Sequence, residues 1–130
     1  MKKVTMSVLL LVIVLMVAAC GGGATTGGDT GGAMAAKDVT IQALTTLKWD
    51  PADLTAAVGQ PLNITMTSDG ALEHNFVWAD DAETDFLHVA IGETTTGPAS
   101  RTFDTAGTFE FYCDIPGHKE AGMVGRATIN

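Results

Sequence analysis

The clearest periodicity in the chain is a run of apolar residues at every second position: Leu62, Ile64 and Met66 alternate with Asn63, Thr65 and Thr67. A period of two puts one set of side chains on a buried face and the other in water, which is the pattern of a half-buried β-strand. Val39, Ile41 and Ala43 repeat it earlier in the chain. Phe109, Phe111 and Cys113 repeat it later, against Thr108, Glu110 and Tyr112. Gly, Pro, Asp and Asn punctuate the stretches between, so the spacing predicts several short antiparallel strands over 37–130. At this length they predict an all-β Greek-key β-sandwich. Residues 80–90 are more acidic and less periodic, and read as a loop or short helix crossing between sheets. Trp49 and Trp78 are expected to pack in the core or at its rim. Asn63-Ile64-Thr65 has the form of a glycosylation acceptor but lies inside a strand, so it is set aside.

Ahead of this domain the pattern changes twice. Residues 4–20 form an uncharged, mostly aliphatic run behind Lys2 and Lys3, the charged-then-apolar order of an export signal. The run is at the short end of what spans a bilayer and no basic residue follows it directly, so cleavage is expected. Its end, Val17-Ala18-Ala19-Cys20, resembles a bacterial lipoprotein signal, which implies that Cys20 becomes the lipidated first residue. The alternative is an ordinary signal or an uncleaved anchor; in each case the domain lies outside the cytoplasm, in the periplasm or on the outer side of the cell membrane. After Cys20 comes a stretch rich in Gly, Ala and Thr with nothing large enough to build a core. It reads as a flexible tether, with ends roughly 20–24 Å apart on average. The expected organisation is a signal peptide over 1–19, a lipid-anchor cysteine and linker over 20–36, and one domain over 37–130.

Charge narrows the partners. The 130 residues carry 15 Asp and Glu against 7 Lys and Arg, a formal charge of −8, and losing Lys2 and Lys3 with the signal takes it to −10. Nucleic acid is thereby an unsuitable partner, and a basic or neutral protein surface a suitable one. The chain has two cysteines. Exported proteins normally pair their thiols, yet a Cys20–Cys113 disulfide would only clamp a linker to the domain. If Cys20 carries lipid, Cys113 is left without a partner, which points to metal binding or reactivity.

The residues around Cys113 carry the chemistry. The segment from Tyr112 to Met123 reads Cys-x4-His-x4-Met, placing thiolate, imidazole and thioether at Cys113, His118 and Met123 on one short tether. Pro116-Gly117 turns the chain, and Gly122 permits a close backbone approach before Met123. Soft sulfur with imidazole selects copper, and a second histidine completes the ligand set used by blue-copper sites. His74, in the predicted strand 73–78 about 40 residues earlier, can supply it if that strand lies beside the one ending at Cys113. A structural zinc would use carboxylate in place of thioether. A copper chaperone would cluster methionine, whereas three of the six Met here lie in the signal, Met34 in the linker and Met66 in a strand. A third alternative is a sandwich in which these residues merely pack. His88 has no second ligand type at a useful spacing and is expected at the surface.

With His74-Asn75 and the segment 107–125 in view, the chain resembles the cupredoxin family of small blue copper proteins, and its Cys-x4-His-x4-Met spacing is most similar to that of the auracyanins. The resemblance covers nearly all of 38–130. It implies one type 1 copper, with His74, Cys113 and His118 as planar ligands and Met123 axial. It also implies that Asn75 ties the two ligand segments together and donates its backbone N–H to the Cys113 sulfur. Two departures stand beside it: Glu73 occupies the place where azurins have glycine, and the loop spacings differ from those of plastocyanins and azurins. The function implied is single-electron transfer between membrane redox complexes, with a cytochrome or a membrane electron-transport complex as partner and no enzymatic reaction. The alternative is periplasmic copper storage or delivery. Tyr112, bonded to Cys113 but facing outward, is a possible electron route, and the edge of His118 is another.

Overall fold

The computed structural model describes residues 34–130. The expected signal peptide, Cys20 and most of the linker lie outside the described residues. The domain is a two-layer β-sandwich without helices among the described residues. One sheet holds β1 (Lys37–Leu44), β2 (Lys48–Asp50), β4 (Leu62–Ser68) and β7 (Thr95–Arg101) in the order β2-β1-β4-β7. The other holds β3 (Asp53–Ala56), β5 (His74–Trp78), β6 (Leu87–Val89), β8 (Gly107–Tyr112) and β9 (Val124–Ile129) in the order β3-β9-β8-β5-β6.

The alternating segments fold as their pattern requires. Leu62, Ile64 and Met66 on β4 have no exposed surface, and Ile41 and Ala43 on β1 join them in one core. From the facing sheet come Leu54, Phe76, Trp78, Phe111, Ala127 and Ile129. Each large side chain so buried contributes about 1.5–3 kcal/mol of hydrophobic stabilisation relative to exposure. Trp49 and Trp78 are both buried, in line with their expected packing.

Two expectations need correction. The strands are not all antiparallel: β1 runs parallel to β4 over seven residue pairs, and β3 runs parallel to β9. The cause is the chain path. β1 and β2 form a hairpin, the chain crosses to the other sheet as β3, and it returns as β4 on the opposite side of β1. A strand reached by such a crossover can enter parallel, which no local pattern reveals. Residues 80–90, expected as a loop or short helix, contain the edge strand β6. There Leu87 and Val89 are buried, His88 is exposed, and the pairing with β5 sets His74 opposite Val89 and Phe76 opposite Leu87. Three residues of alternation are too few to stand out from a loop.

One packing detail bears on the ligand strands. Phe76, two residues after His74, stacks on Phe111, two residues before Cys113, with ring centroids 4.5 Å apart and an interplanar angle of 17°. Gly125 sits opposite Phe111 in the β8–β9 register. A Cβ there would lie 2.3 Å from the Phe111 ring and 2.6 Å from the Ala52 carbonyl oxygen, so only glycine lets the ring lie flat against β9. Overpacking of this kind costs about 1–3 kcal/mol. Gly125→Ala is therefore expected to lower the unfolding free energy by about that amount, read as a lower urea midpoint with an unchanged slope.

Candidate metal centre

The site is assembled by two neighbouring strands and one loop. His74 opens β5, and β8 ends at Tyr112 with Cys113 directly after it. β5 and β8 are hydrogen-bonded neighbours, with Val77 opposite Tyr112. The residues after Cys113 form a loop held by its own backbone. The N–H of His118 donates to the carbonyl of Ile115 at 3.0 Å, that of Met123 to His118 at 2.9 Å, and that of Cys113 to Met123 at 3.1 Å. Gly117 and Gly122 adopt left-handed φ values of 87° and 94°, which the two tight turns demand. The closed loop brings Met123 back beside Cys113.

The ligand atoms of His74, Cys113 and His118 all lie within 4.8 Å of one another. The Cys113 sulfur is 3.3 Å from His118 Nδ1, and the two imidazole centroids are 5.1 Å apart. His74, Cys113 and Met123 have no exposed surface, whereas His118 is half-buried. Burial, then the charge of His118, lowers the His74 pKa against an opposing pull from Asp69, which favours the neutral ring. Burial raises the Cys113 thiol, partly offset by backbone N–H groups of Asn75 and Ile115. A metal is the group these observations fit. Both ring nitrogens of His74 are buried with no hydrogen-bond partner, and a neutral imidazole with a free lone pair is what a metal requires. Two imidazoles, a thiolate and a thioether form a soft donor set that suits copper, and the four residues are arranged as a type 1 copper site.

The surroundings place the other residues of interest. The backbone N–H of Asn75 donates to the Cys113 sulfur at 3.4 Å, and its side-chain amide donates to Asp114 at 2.8 Å, bridging β5 to the ligand loop. Glu73 pairs at 2.8 Å with His88, which is exposed as expected. Tyr112 is half-buried on the outer face, with the Lys119 amino group 3.4 Å above its ring. Cys113 is a free thiol. Three neighbours escaped the sequence reading in this role. Trp49 packs against the His74 ring at 6.5 Å, Asp114 receives Asn75, and Lys48 donates to the carbonyls of Ala121 at 2.8 Å and Gly122 at 3.2 Å. Asp114 adjoins the ligand cysteine in sequence, whereas nothing in the spacing of Lys48 or Trp49 signals such contacts.

Known proteins agree with this arrangement. The profile of the copper binding proteins, plastocyanin/azurin family, matches residues 34–130. The copper-resistant cuproprotein CopI of Rubrivivax gelatinosus is 32% identical over 113 residues, covering 75% of this chain and 68% of that protein. The chloroplastic plastocyanin of Hordeum vulgare is 34% identical over 107 residues, covering 77% of this chain and 66% of its own. The chain thus spans about two thirds of the length of these relatives. In fold it superposes on auracyanin A, a "blue" copper protein from Chloroflexus aurantiacus, with a TM-score of 0.59 at 20% identity, covering 72% of this chain and 98% of that one. A family profile across the whole described domain, and relatives above 30% identity, meet on one conclusion: this chain belongs to the plastocyanin/azurin family of copper-binding proteins.

Proposed function

We propose that the chain is a type 1 copper protein that carries single electrons between redox proteins, exported and tethered to the membrane through a lipidated Cys20. The observation that carries this reading is the enclosure of the centre: three of its four side chains have no exposed surface and only His118 reaches the rim. An electron can cross such a boundary. A substrate that must bind at the metal has no approach, so the protein acts as a carrier and not as an enzyme. Copper bound to these ligands supplies a one-electron Cu(II)/Cu(I) couple. His74, Cys113 and His118 are its strong ligands and Met123 the weak fourth. Asn75 holds the Cys113 sulfur through its N–H and fastens the loop through Asp114, so the ligands move little between oxidation states. The exposed edge of His118 is the port for electrons. Tyr112 is a second route, whose ring is covered by Lys119. The strongly acidic chain suits a basic or mixed docking face on a cytochrome or membrane complex.

Copper delivery is a second reading, favoured by the resemblance to a copper-resistant cuproprotein. Optical redox titration of the copper-loaded protein separates the two. A carrier cycles reversibly with its copper retained in the presence of a competing Cu(I) chelator, whereas a delivery protein surrenders the metal. Cys113→Ser is expected to remove the intense visible absorption, since that band arises from charge transfer from thiolate sulfur to Cu(II). A serine variant that stayed strongly coloured would show the assigned thiolate to be wrong.

Met123 is expected to tune the site more than to hold the metal. Cu(II) gains more from an added donor than Cu(I) does, and apolar surroundings disfavour the higher charge. Met123→Leu should therefore raise the reduction potential and Met123→Gln lower it, with copper retained in both. Electrochemistry on the two variants checks this, and a leucine variant with an unchanged or lower potential removes Met123 from the ligand set.

A further inference from the structure

The three-residue strand β2 reaches the metal centre from two sides. Trp49 turns inward onto the His74 ring. Lys48, its neighbour, is exposed, and its amino group donates to two successive carbonyls of the ligand loop, Ala121 at 2.8 Å and Gly122 at 3.2 Å. The contact joins residues more than 70 positions apart in the chain. The amino group also occupies the space beside Gly122 that a Cβ would take, at a position whose φ of 94° already calls for glycine. The turn that delivers Lys48 holds Leu47 at a φ of 57°, an unfavourable conformation for a branched side chain, secured by its N–H to the Leu44 carbonyl at 2.9 Å and by packing on the core.

Gly122 is bonded to Met123. The backbone of Met123 is fixed on its far side by its carbonyl, which accepts from the Cys113 N–H at 3.1 Å. The two peptide units just before it are held on their N–H side by the Lys119 and His118 carbonyls, each at 2.9 Å, and Lys48 takes up their carbonyl side, so both ends of each unit are tied. We propose that Lys48 is a positioning residue for Met123, clamping the Ala121 and Gly122 carbonyls so that the thioether is presented firmly to the metal and the reduction potential is held down. This rests on the reading of Met123 as the weak copper donor.

Charge and position predict opposite signs, which makes the proposal testable. A bare cation near the site favours the reduced metal, so loss of Lys48 by charge alone would lower the potential. Loss of a clamp loosens the thioether and raises it, in the direction of Met123→Leu. The experiment measures reduction potentials of Lys48→Met, Met123→Leu and the double variant in about 1 M salt, where charge effects are screened beyond ~3 Å. The expected result is a rise for Lys48→Met smaller than that for Met123→Leu, and no further change when Lys48→Met is added to Met123→Leu, since residues that act through one another are non-additive. A fall, no change, or an undiminished shift in the double variant overturns the proposal. A second readout needs no copper: in the metal-free protein, amide exchange at Gly122 and Met123 should quicken roughly tenfold in Lys48→Met, equivalent to ~1.4 kcal/mol. An unchanged exchange rate overturns the clamp whatever the metal does, so its failure is distinguishable from failure of the copper reading, which the colour of Cys113→Ser decides independently.

Discussion

A histidine with no exposed surface and no hydrogen-bond partner is the constraint around which this domain is arranged. Burying an unpartnered polar group costs about 1–3 kcal/mol, and His74 presents two such nitrogens. The fold bears that cost because the strand carrying it is held on both sides, by β8 through the Phe76–Phe111 stack and by β6 through the pairing of His74 with Val89. Trp49 closes the remaining face. With the ring unable to turn toward water, its lone pair is committed to whatever sits between it, Cys113 and His118. The sandwich is in this sense a rigid holder for one imidazole, and the loop from Cys113 to Met123 is the second jaw that meets it.

Much of this was legible in the sequence, for different reasons in different places. The half-buried strands β1, β4 and β8 announced themselves by alternation, because each has one face in the core and one in water. The ligand loop was legible because Cys113, His118 and Met123 lie close together in the chain, so spacing stands in for geometry. His74 required more: its place depended on β5 lying beside β8, which the resemblance to a known family supplied and periodicity did not. The parallel pairings of β1 with β4 and β3 with β9 were hidden because they follow from the order in which the chain visits two sheets. β6 was hidden because its three residues pair only with their neighbour. Lys48 and Gly125 were hidden because each is explained by an atom of a distant segment, the Gly122 backbone in one case and the Phe111 ring in the other.

The two sheets contribute unequally to the site. His74, Cys113 and Met123 all belong to the sheet β3-β9-β8-β5-β6 or to the loop between two of its strands. The other sheet reaches the centre through β2, which sends one side chain to each half: Trp49 to the buried ring and Lys48 to the loop. Changes in β2 can therefore alter the centre without touching a ligand.

The depth of Cys113 has a consequence for the protein before it acquires metal. Thiol–disulfide exchange needs a thiolate and access to the sulfur, and Cys113 offers neither, since burial keeps its proton on and its surface closed. Among the described residues the free thiol is thus shielded from oxidation until a metal takes its sulfur. Binding a metal through this sulfur would release that proton, and of the four side chains only His118 keeps an exposed edge.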